Sequence, residues 1–205
     1  MFDVEGFILV GGASRRMGRD KAQLVFDGQT FIDRIAGELS AVVSSVALVG
    51  ARQPYGSLRN IPDLHVQWGA LGGIHAALSA TKTDWALVVA CDLPFVTREL
   101  FERLKSFAGD AVDAVVPIQS DGRPQPVCAF YRRESCLRQI EELISAGEHT
   151  PRALLAKVRP RYVESSELGD LPNAENFFFN VNTPEDLEHA RTILTRSDHQ
   201  LKSLS

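Results

Sequence analysis

The chain has few cysteines, no long apolar run and no excess of basic residues. Its three cysteines include no CxxC pair, so the sequence indicates neither a zinc site nor a redox motif, and it fits a reducing compartment. Cys91 and Cys128 lie in apolar runs and are predicted to be buried. No stretch approaches the ~18 apolar residues of a membrane span, and the first residues carry no basic leader. We therefore expect a cytoplasmic protein that has no membrane partner.

The charge balance is slightly acidic. With 22 Lys and Arg against 26 Asp and Glu, the net charge is −4. This argues against a general nucleic-acid-binding protein, because such a protein needs a basic face to neutralise phosphates. The 205 residues are enough to bury a hydrophobic core without disulfides or metals. We find no internal repeat and no linker, and so expect a single domain over residues 1–196 and a frayed tail over residues 197–205.

Predicted strands and helices alternate along most of the chain. Apolar, β-rich runs predict strands at residues 7–10, 45–50, 64–66, 84–91, 114–117, 126–131 and 177–181. Helical spacing predicts helices at residues 31–42, 69–80, 97–107, 134–146, 151–158 and 184–194, with Thr30, Thr97 and Thr183 as N-caps. This alternation is typical of a three-layer α/β fold with a mostly parallel sheet, whose ligands bind at the carboxyl ends of the strands.

A glycine-rich basic segment follows the first predicted strand. The residues GGASRRMGRDK, from Gly11 to Lys21, combine backbone N–H groups that can face an anion with four basic side chains. Neither the GxGxxG nor the GxxxxGK[ST] pattern is met, so neither of those two fingerprints applies. A solvated basic turn is the alternative. The co-occurrence of Arg15, Arg16 and Lys21 with the glycines favours a polyphosphate site.

A carboxylate follows the strongest predicted strand. Asp92, in the segment CDLPF, comes just after the apolar run at residues 84–91, where the ligand crevice is expected. An Asp at this place can hold Mg²⁺, which keeps several waters and bridges one carboxylate to substrate phosphates. The alternative is that Asp92 forms a turn, because Asp-x-Pro often starts one. A phosphate loop after the first predicted strand favours the metal.

Two further polar segments are less specific by themselves. The residues DGRPQP, from Asp121 to Pro126, predict a turn. Asn180 and Asn182 alternate with an apolar residue, so at the end of a strand both amides would project to the same side. Such a pair can bind a heterocycle or orient a carboxylate. Local capping of the helix at residues 184–194 is the alternative.

Four segments in this order resemble those of one family, the molybdenum cofactor guanylyltransferases, or MobA family. The segments are GGASRRMGRDK, CDLPF, DGRPQPVCAFY and FNVNTPEDL, and the resemblance covers essentially residues 6–194. It implies a Rossmann-like nucleotidyltransferase fold of the nucleotide-diphospho-sugar transferase type. It also implies transfer of GMP from GTP to molybdopterin with Mg²⁺, release of pyrophosphate, and cofactor-synthesis and acceptor proteins as further partners.

The resemblance also implies roles for particular residues. The nucleotide would be bound by Leu9, Val10, Gly11, Gly12, Ser14, Arg15, Lys21 and Asp92. Catalysis would depend on Lys21, Arg16 and Asp92, of which Asp92 would hold the metal. The residues that fall on the cofactor-binding positions are Gly69, Leu71, Gly73, Asn180 and Asn182.

Two departures from the family pattern concern the choice of nucleotide base. Family members often have an Asn near the position of Val49 and an Asp before the glycine-rich turn that follows Trp68, and this chain has neither. Two alternatives therefore stay open. One is a related nucleotidyltransferase that uses CTP or acts on a sugar phosphate, and the other is a non-catalytic adaptor that carries the cofactor.

Overall fold

A computed structural model of the chain describes residues 2–10, 25–26 and 28–202. Several predicted site residues lie outside the described residues, and their roles stay predictions: Gly11, Gly12, Ser14, Arg15, Arg16 and Lys21.

Strands and α-helices alternate along the described residues. The strands are β1 (Val4–Leu9), β2 (Val25–Phe26), β3 (Gln29–Thr30), β4 (Ser45–Val49), β5 (Arg59–Ile61), β6 (Trp85–Ala90), β7 (Ala114–Pro117), β8 (Cys128–Arg132) and β9 (Pro160–Val163). The α-helices are α1 (Phe31–Ser40), α2 (Gly69–Ala80), α3 (Arg98–Ser106), α4 (Arg133–Ser145), α5 (Pro151–Leu155) and α6 (Pro184–Lys202). Short 3-10 turns occur at Val66–Trp68, Ser165–Glu167 and Ala174–Asn176.

Seven of these strands form one sheet in the order β5-β4-β1-β6-β8-β7-β9. All neighbouring pairs are parallel except those of β8, which runs antiparallel to both β6 and β7. The reversal follows from the connection, because β8 returns from β7 through a hairpin and needs no helical crossover. The prediction of a mostly parallel sheet is confirmed. The separate strands β2 and β3 pair with each other.

Two apolar cores lie on the two faces of the sheet. In β6, Leu87 and Val89 pack into the core that includes α1 and α3, while Ala86 and Val88 pack into the core that includes α2, α4 and α5. Alternate side chains of a strand point to opposite faces, so a strand that is apolar throughout must be covered on both. The arrangement confirms the three-layer prediction. A smaller cluster joins Phe31 to α6.

Two predicted strands are absent at the predicted positions. Residues 64–65 form a turn and Val66 begins a 3-10 helix, and the strand lies earlier, at Arg59–Ile61. Residues 177–181 follow a 3-10 turn and pair with no strand. Phe177 is fully buried against the α1 and α3 face, so this apolar run covers the sheet from outside. Apolar composition alone does not distinguish a paired strand from a buried coil.

The predicted helix starts are confirmed. Thr30 accepts a hydrogen bond from the Asp33 amide and forms a capping box, and Thr97 accepts one from the amide of Leu100. Thr183 accepts one from Asp186, at the third position of α6. Helix α6 extends to Lys202, and so includes most of the predicted tail, while residues 203–205 lie outside the described part.

The three cysteines are buried. Burial raises the pKa of the Cys136 thiol to about 12, so it remains protonated at neutral pH. In the described part of the chain, none of the helices combines the length and the apolar character that crossing a bilayer requires.

Candidate functional site

The carboxyl ends of three adjacent parallel strands meet at one edge of the sheet. Leu9, the last residue of β1, pairs with Val49 of β4 on one side and with Ala90 of β6 on the other. The glycine-rich segment and Asp92 follow β1 and β6 in the sequence, and these two strands end side by side. This edge is where α/β folds of this type bind their ligands.

The backbone after β1 is tied into the sheet. The carbonyl of Leu9 accepts a hydrogen bond of 3.0 Å from the Cys91 amide, and the amide of Val10 donates one of 2.9 Å to Val49. These bonds fix where the chain enters the glycine-rich segment. They also occupy the Val10 N–H and one of the two acceptor lone pairs of the Leu9 carbonyl, so a nucleotide contact through this pair would use the remaining carbonyl lone pairs. The contact of Leu9 and Val10 with GTP remains a prediction.

The structure brings the Asp92 and Asn180–Asn182 segments together. The amide of Val181 donates a hydrogen bond of 3.0 Å to the backbone carbonyl of Asp92. Val181 is fully buried, whereas Asn180 is half-buried and Asn182 is exposed. The buried valine therefore anchors the two asparagines beside the end of β6. A sequence separation of 89 residues gave no indication of this contact beyond the family resemblance.

The carboxylate of Asp92 suits Mg²⁺ by its chemistry. It is half-buried at the carboxyl end of β6. Among the described residues, no three His, Cys, Asp or Glu side chains come together as a metal cage. Mg²⁺ is usually held by one or two carboxylates, with water and substrate phosphates as the other ligands. A single carboxylate after β6, the strand next to β1, fits that pattern.

The start of α2 has a structural reason for its glycines. Gly69 is exposed and has φ +52°, a left-handed conformation that favours glycine. A Cβ on Gly72 would lie 2.6 Å from the carbonyl oxygen of His65, and one on Gly73 would lie 3.1 Å from Leu9 side-chain atoms. Leu71 is fully buried in the core. Leu71 therefore packs in the core and Gly73 packs against Leu9. That these residues bind the cofactor substrate remains a prediction.

The two positions that depart from the family pattern differ in environment. Val49 is buried, 1% exposed, so its side chain cannot contact a base at the surface of the edge. Trp68 is half-buried and stacks between His65, with ring centroids 4.2 Å apart, and His149, at 5.0 Å. Burial and the neighbouring His65 lower the pKa of His75, which lies beside this stack. The aromatic stack was not predicted from the sequence.

The turn before β8 carries a buried polar residue that the sequence analysis did not single out. Gln125 lies in the segment DGRPQP and is 6% exposed. The segment as a whole was interpreted as a turn, and residues 119–123 do form one. A glutamine between two prolines gave no local sign that its side chain would be buried.

The fold is shared with solved nucleotidyltransferases. The crystal structure of 2-C-methyl-D-erythritol 4-phosphate cytidylyltransferase from Thermus thermophilus has a TM-score of 0.67 and covers 92% of this chain and 98% of that one. At 16% identity, this likeness concerns the fold alone. Molybdopterin-guanine dinucleotide biosynthesis protein A from Archaeoglobus fulgidus has a TM-score of 0.78 and 29% identity, over 94% of this chain and 99% of that one. The class is therefore that of the Rossmann-like nucleotidyltransferases.

Sequence similarity narrows this class. Residues 6–163 match the MobA-like NTP transferase domain. The chain is 40% identical, over 96% of both chains, to the "Probable molybdenum cofactor guanylyltransferase" of Pelotomaculum thermopropionicum. It is 34% identical, over 93% of this chain and 96% of the other, to the "Molybdenum cofactor guanylyltransferase" of Desulfosudis oleivorans. The chain belongs to the MobA-like NTP transferase family, and its predicted resemblance to the molybdenum cofactor guanylyltransferases is confirmed.

Proposed function

We propose that this protein transfers GMP from GTP to molybdopterin, with Mg²⁺, to form the guanine dinucleotide cofactor and pyrophosphate. The observation that carries the proposal is the hydrogen bond from Val181 to Asp92, which places the Asn180–Asn182 segment beside the predicted metal ligand. On this proposal, the site would have a phosphate and metal side and an adjoining amide side within one edge. Family membership supplies the identity of the two substrates.

In this reaction, the terminal phosphate oxygen of molybdopterin attacks the α-phosphorus of GTP in line. The bond to the β-phosphate oxygen breaks, and pyrophosphate leaves with the electron pair. A phosphate monoester is already largely ionised at neutral pH, so neither a protein nucleophile nor a general base is needed. The chain contributes positioning and charge stabilisation.

Particular residues have proposed parts in that stabilisation. Asp92 would hold Mg²⁺, which neutralises charge on the phosphates when it is bound. Lys21 would neutralise charge on the reacting α-phosphate, and Arg16 would assist it; both come from the basic segment that follows β1 in the sequence. The sheet hydrogen bonds of Leu9 and Val10 fix the entry to this segment, which supports a preorganised phosphate site.

Guanine would be recognised without the two side chains that family members often provide. Because Val49 is buried, backbone groups near Leu9 and the start of α2 would supply the recognition. Side chains that pair with a base reject a wrong base strongly, because their buried polar groups are otherwise left unpaired. We therefore expect a preference for GTP with a smaller margin over ATP and CTP than such pairing would give.

The direct test is a transfer assay with GTP labelled at the α-phosphate, molybdopterin and Mg²⁺. Label is expected in a molybdopterin dinucleotide, and unlabelled ATP, CTP and UTP are expected to compete less well than unlabelled GTP. Binding of both substrates without transfer would support a cofactor-carrying adaptor instead. A preference for CTP would replace the guanylyl assignment with a cytidylyl one.

The proposed setting is the cytoplasm, with no nucleic acid as a partner. The net charge of −4 supports the second point, because a nucleic-acid-binding surface is normally basic. Cofactor-synthesis and acceptor proteins are proposed partners through the cofactor that they supply or receive.

A further inference from the structure

Three polar residues are buried among the described residues: Thr81, Asp113 and Gln125. Two of them have partners inside the protein. The Thr81 hydroxyl donates to Glu5 at 2.7 Å, and Asp113 accepts from the Arg159 side chain at 2.8 Å. Within the described part of the chain, the side-chain amide of Gln125 takes part in no hydrogen bond. The amide atoms of Gln125 are not among the unpartnered side-chain atoms that are shut off from water, so the amide of this otherwise buried residue reaches solvent and is available to a ligand.

The backbone fixes Gln125 at the ligand edge. Its N–H donates to Pro117, the last residue of β7, at 2.9 Å, and its carbonyl accepts from Cys128, the first residue of β8, at 3.2 Å. Within the same turn, the carbonyl of Val127 accepts a hydrogen bond of 2.7 Å from Ala90, two residues before Asp92. The turn is therefore bonded to the ends of both β7 and β6. Gln125 lies in the same edge as the predicted metal ligand.

The position in the sheet indicates which substrate this amide faces. The predicted nucleotide residues at the end of β1 lie on one side of β6, and Gln125 lies on the other side, toward β8 and β7. A primary amide offers both donors and an acceptor. The pterin ring carries an amino group next to an oxo group, which match both functions of the amide. Guanine also carries an amino group and an oxo group, so this chemistry alone does not distinguish the two substrates. The pterin is favoured because Gln125 lies on the side of β6 away from the predicted nucleotide residues.

We propose that Gln125 is a specificity-determining residue that hydrogen-bonds the pterin ring of the acceptor substrate. The inference rests on the proposed function. It gives a role to an amide that reaches solvent at this edge and bonds to no described side chain or backbone group: the acceptor provides its partner on binding. It also assigns a role to the segment DGRPQP beyond that of a turn.

The test uses Gln125→Met, which keeps the length of the side chain and removes its hydrogen bonds. The expected result is about a tenfold rise in the KM for molybdopterin, with the KM for GTP unchanged. The melting temperature should stay the same or rise, because no protein hydrogen bond is lost. The matched control is Gln119→Met, a half-exposed glutamine in the same hairpin, which should change none of these quantities.

Each other outcome contradicts the inference in a distinct way. A fall of several degrees in melting temperature, with both KM values altered, would mean that Gln125 supports the fold. A rise in the KM for GTP alone would assign the amide to the guanine base. Wild-type transfer with unchanged KM values in the variant would overturn only this inference. A wild-type protein that transfers no GMP would overturn the proposed function, and this inference with it.

Discussion

The two edges of the seven-stranded sheet use polar residues in different ways. At the amino edge, charged side chains are paired within the protein. Asp113, just before β7, is buried and accepts three hydrogen bonds from Arg159: 3.0 Å from the backbone amide, 2.8 Å from Nε and 2.9 Å from Nη2. These bonds lower the pKa of Asp113 to about 2. Glu5, at the same edge, accepts bonds from Thr81 and from the Lys82 amide, both at 2.7 Å.

At the carboxyl edge, the described hydrogen bonds of Asp92 and Gln125 are made by the backbone, and their side chains are predicted to face a ligand. The backbone carbonyl of Asp92 is held by Val181, while its carboxylate lies half-buried where the phosphate side is predicted. Gln125 is likewise fixed by its backbone on both sides. From this difference we propose that the amino edge stabilises the fold and that the carboxyl edge carries the proposed chemistry. Substitutions at the two edges should therefore affect different measurements.

The largest effect is expected from Asp92→Asn. Asparagine has the same shape but lacks the charge that Mg²⁺ requires, so GMP transfer should fall by about 10²–10³. The melting temperature should change by only a few degrees. Transfer rates measured over a range of Mg²⁺ concentrations, with melts of the same preparations, check this. Full activity of the variant at limiting Mg²⁺ would show that Asp92 only forms a turn.

The amino-edge counterpart is Asp113→Asn, which should lower stability and leave the KM values unchanged. A pKa of about 2, against about 3.9 in an unfolded chain, corresponds to roughly 2 kcal/mol of stability near neutral pH. A carboxyl group with a lowered pKa contributes fully above its unfolded value, and the contribution is lost as the pH falls through about 2. The stability difference between wild type and variant should therefore disappear in acid.

Denaturant unfolding from pH 7 down to pH 2 measures that difference. Asp110→Asn is the matched control, because this neighbouring carboxylate is fully exposed, and its loss should hardly change stability. A difference that is independent of pH would mean that the Asp113–Arg159 pair does not carry the effect.

A smaller effect at the carboxyl edge is expected from Asn182→Ala. The KM for molybdopterin should rise by up to about tenfold, with GTP affinity nearly unchanged, because the exposed Asn182 lies on the predicted acceptor side. Separate titrations of the two substrates show this. Asn176→Ala, in the preceding 3-10 turn, is the control. Equal losses for both substrates would assign Asn182 to the fold or to the nucleotide.

The smallest effect is expected from His149→Ala, at the rim of the carboxyl edge. The stack on Trp68 should contribute about 0.5–1 kcal/mol, or roughly 2 °C in melting temperature. Transfer should be unaffected, because the ring contact described for His149 is with Trp68, which is not a predicted site residue. If transfer falls while the melting temperature is unchanged, the stack belongs to the functional site, and the stated division between the edges must be redrawn.

Local signals in the sequence predicted the elements well, and long-range contacts less well. Thr30, Thr97 and Thr183 cap helices where predicted, because capping depends on residues within one turn. The buried run of β6 was evident because it is apolar throughout. The run at residues 177–181 was predicted as a strand, because its composition does not show that it lies outside the sheet.

The site was predictable only in part for the same reason. The position of Asp92 at the carboxyl edge was predictable, because it directly follows a buried strand, and its role as a metal ligand stays a prediction. The burial of Gln125 depends on bonds to Pro117 and Cys128, which are set by the hairpin and not by its neighbours in sequence. The packing roles of Leu71 and Gly73 likewise depend on how closely α2 approaches β1, and the pattern GALGG does not contain that distance.

The bond between Val181 and Asp92 has a consequence for where this protein can be cut. The family match ends at residue 163, yet Val181 and Ala190 lie beyond it and cover Phe31 and Phe95. A fragment that stops at residue 163 would expose two aromatic rings and release the backbone carbonyl that follows the central strand. A truncation at the carboxyl terminus should therefore leave α6 intact, and a fusion partner or affinity tag should be attached after α6.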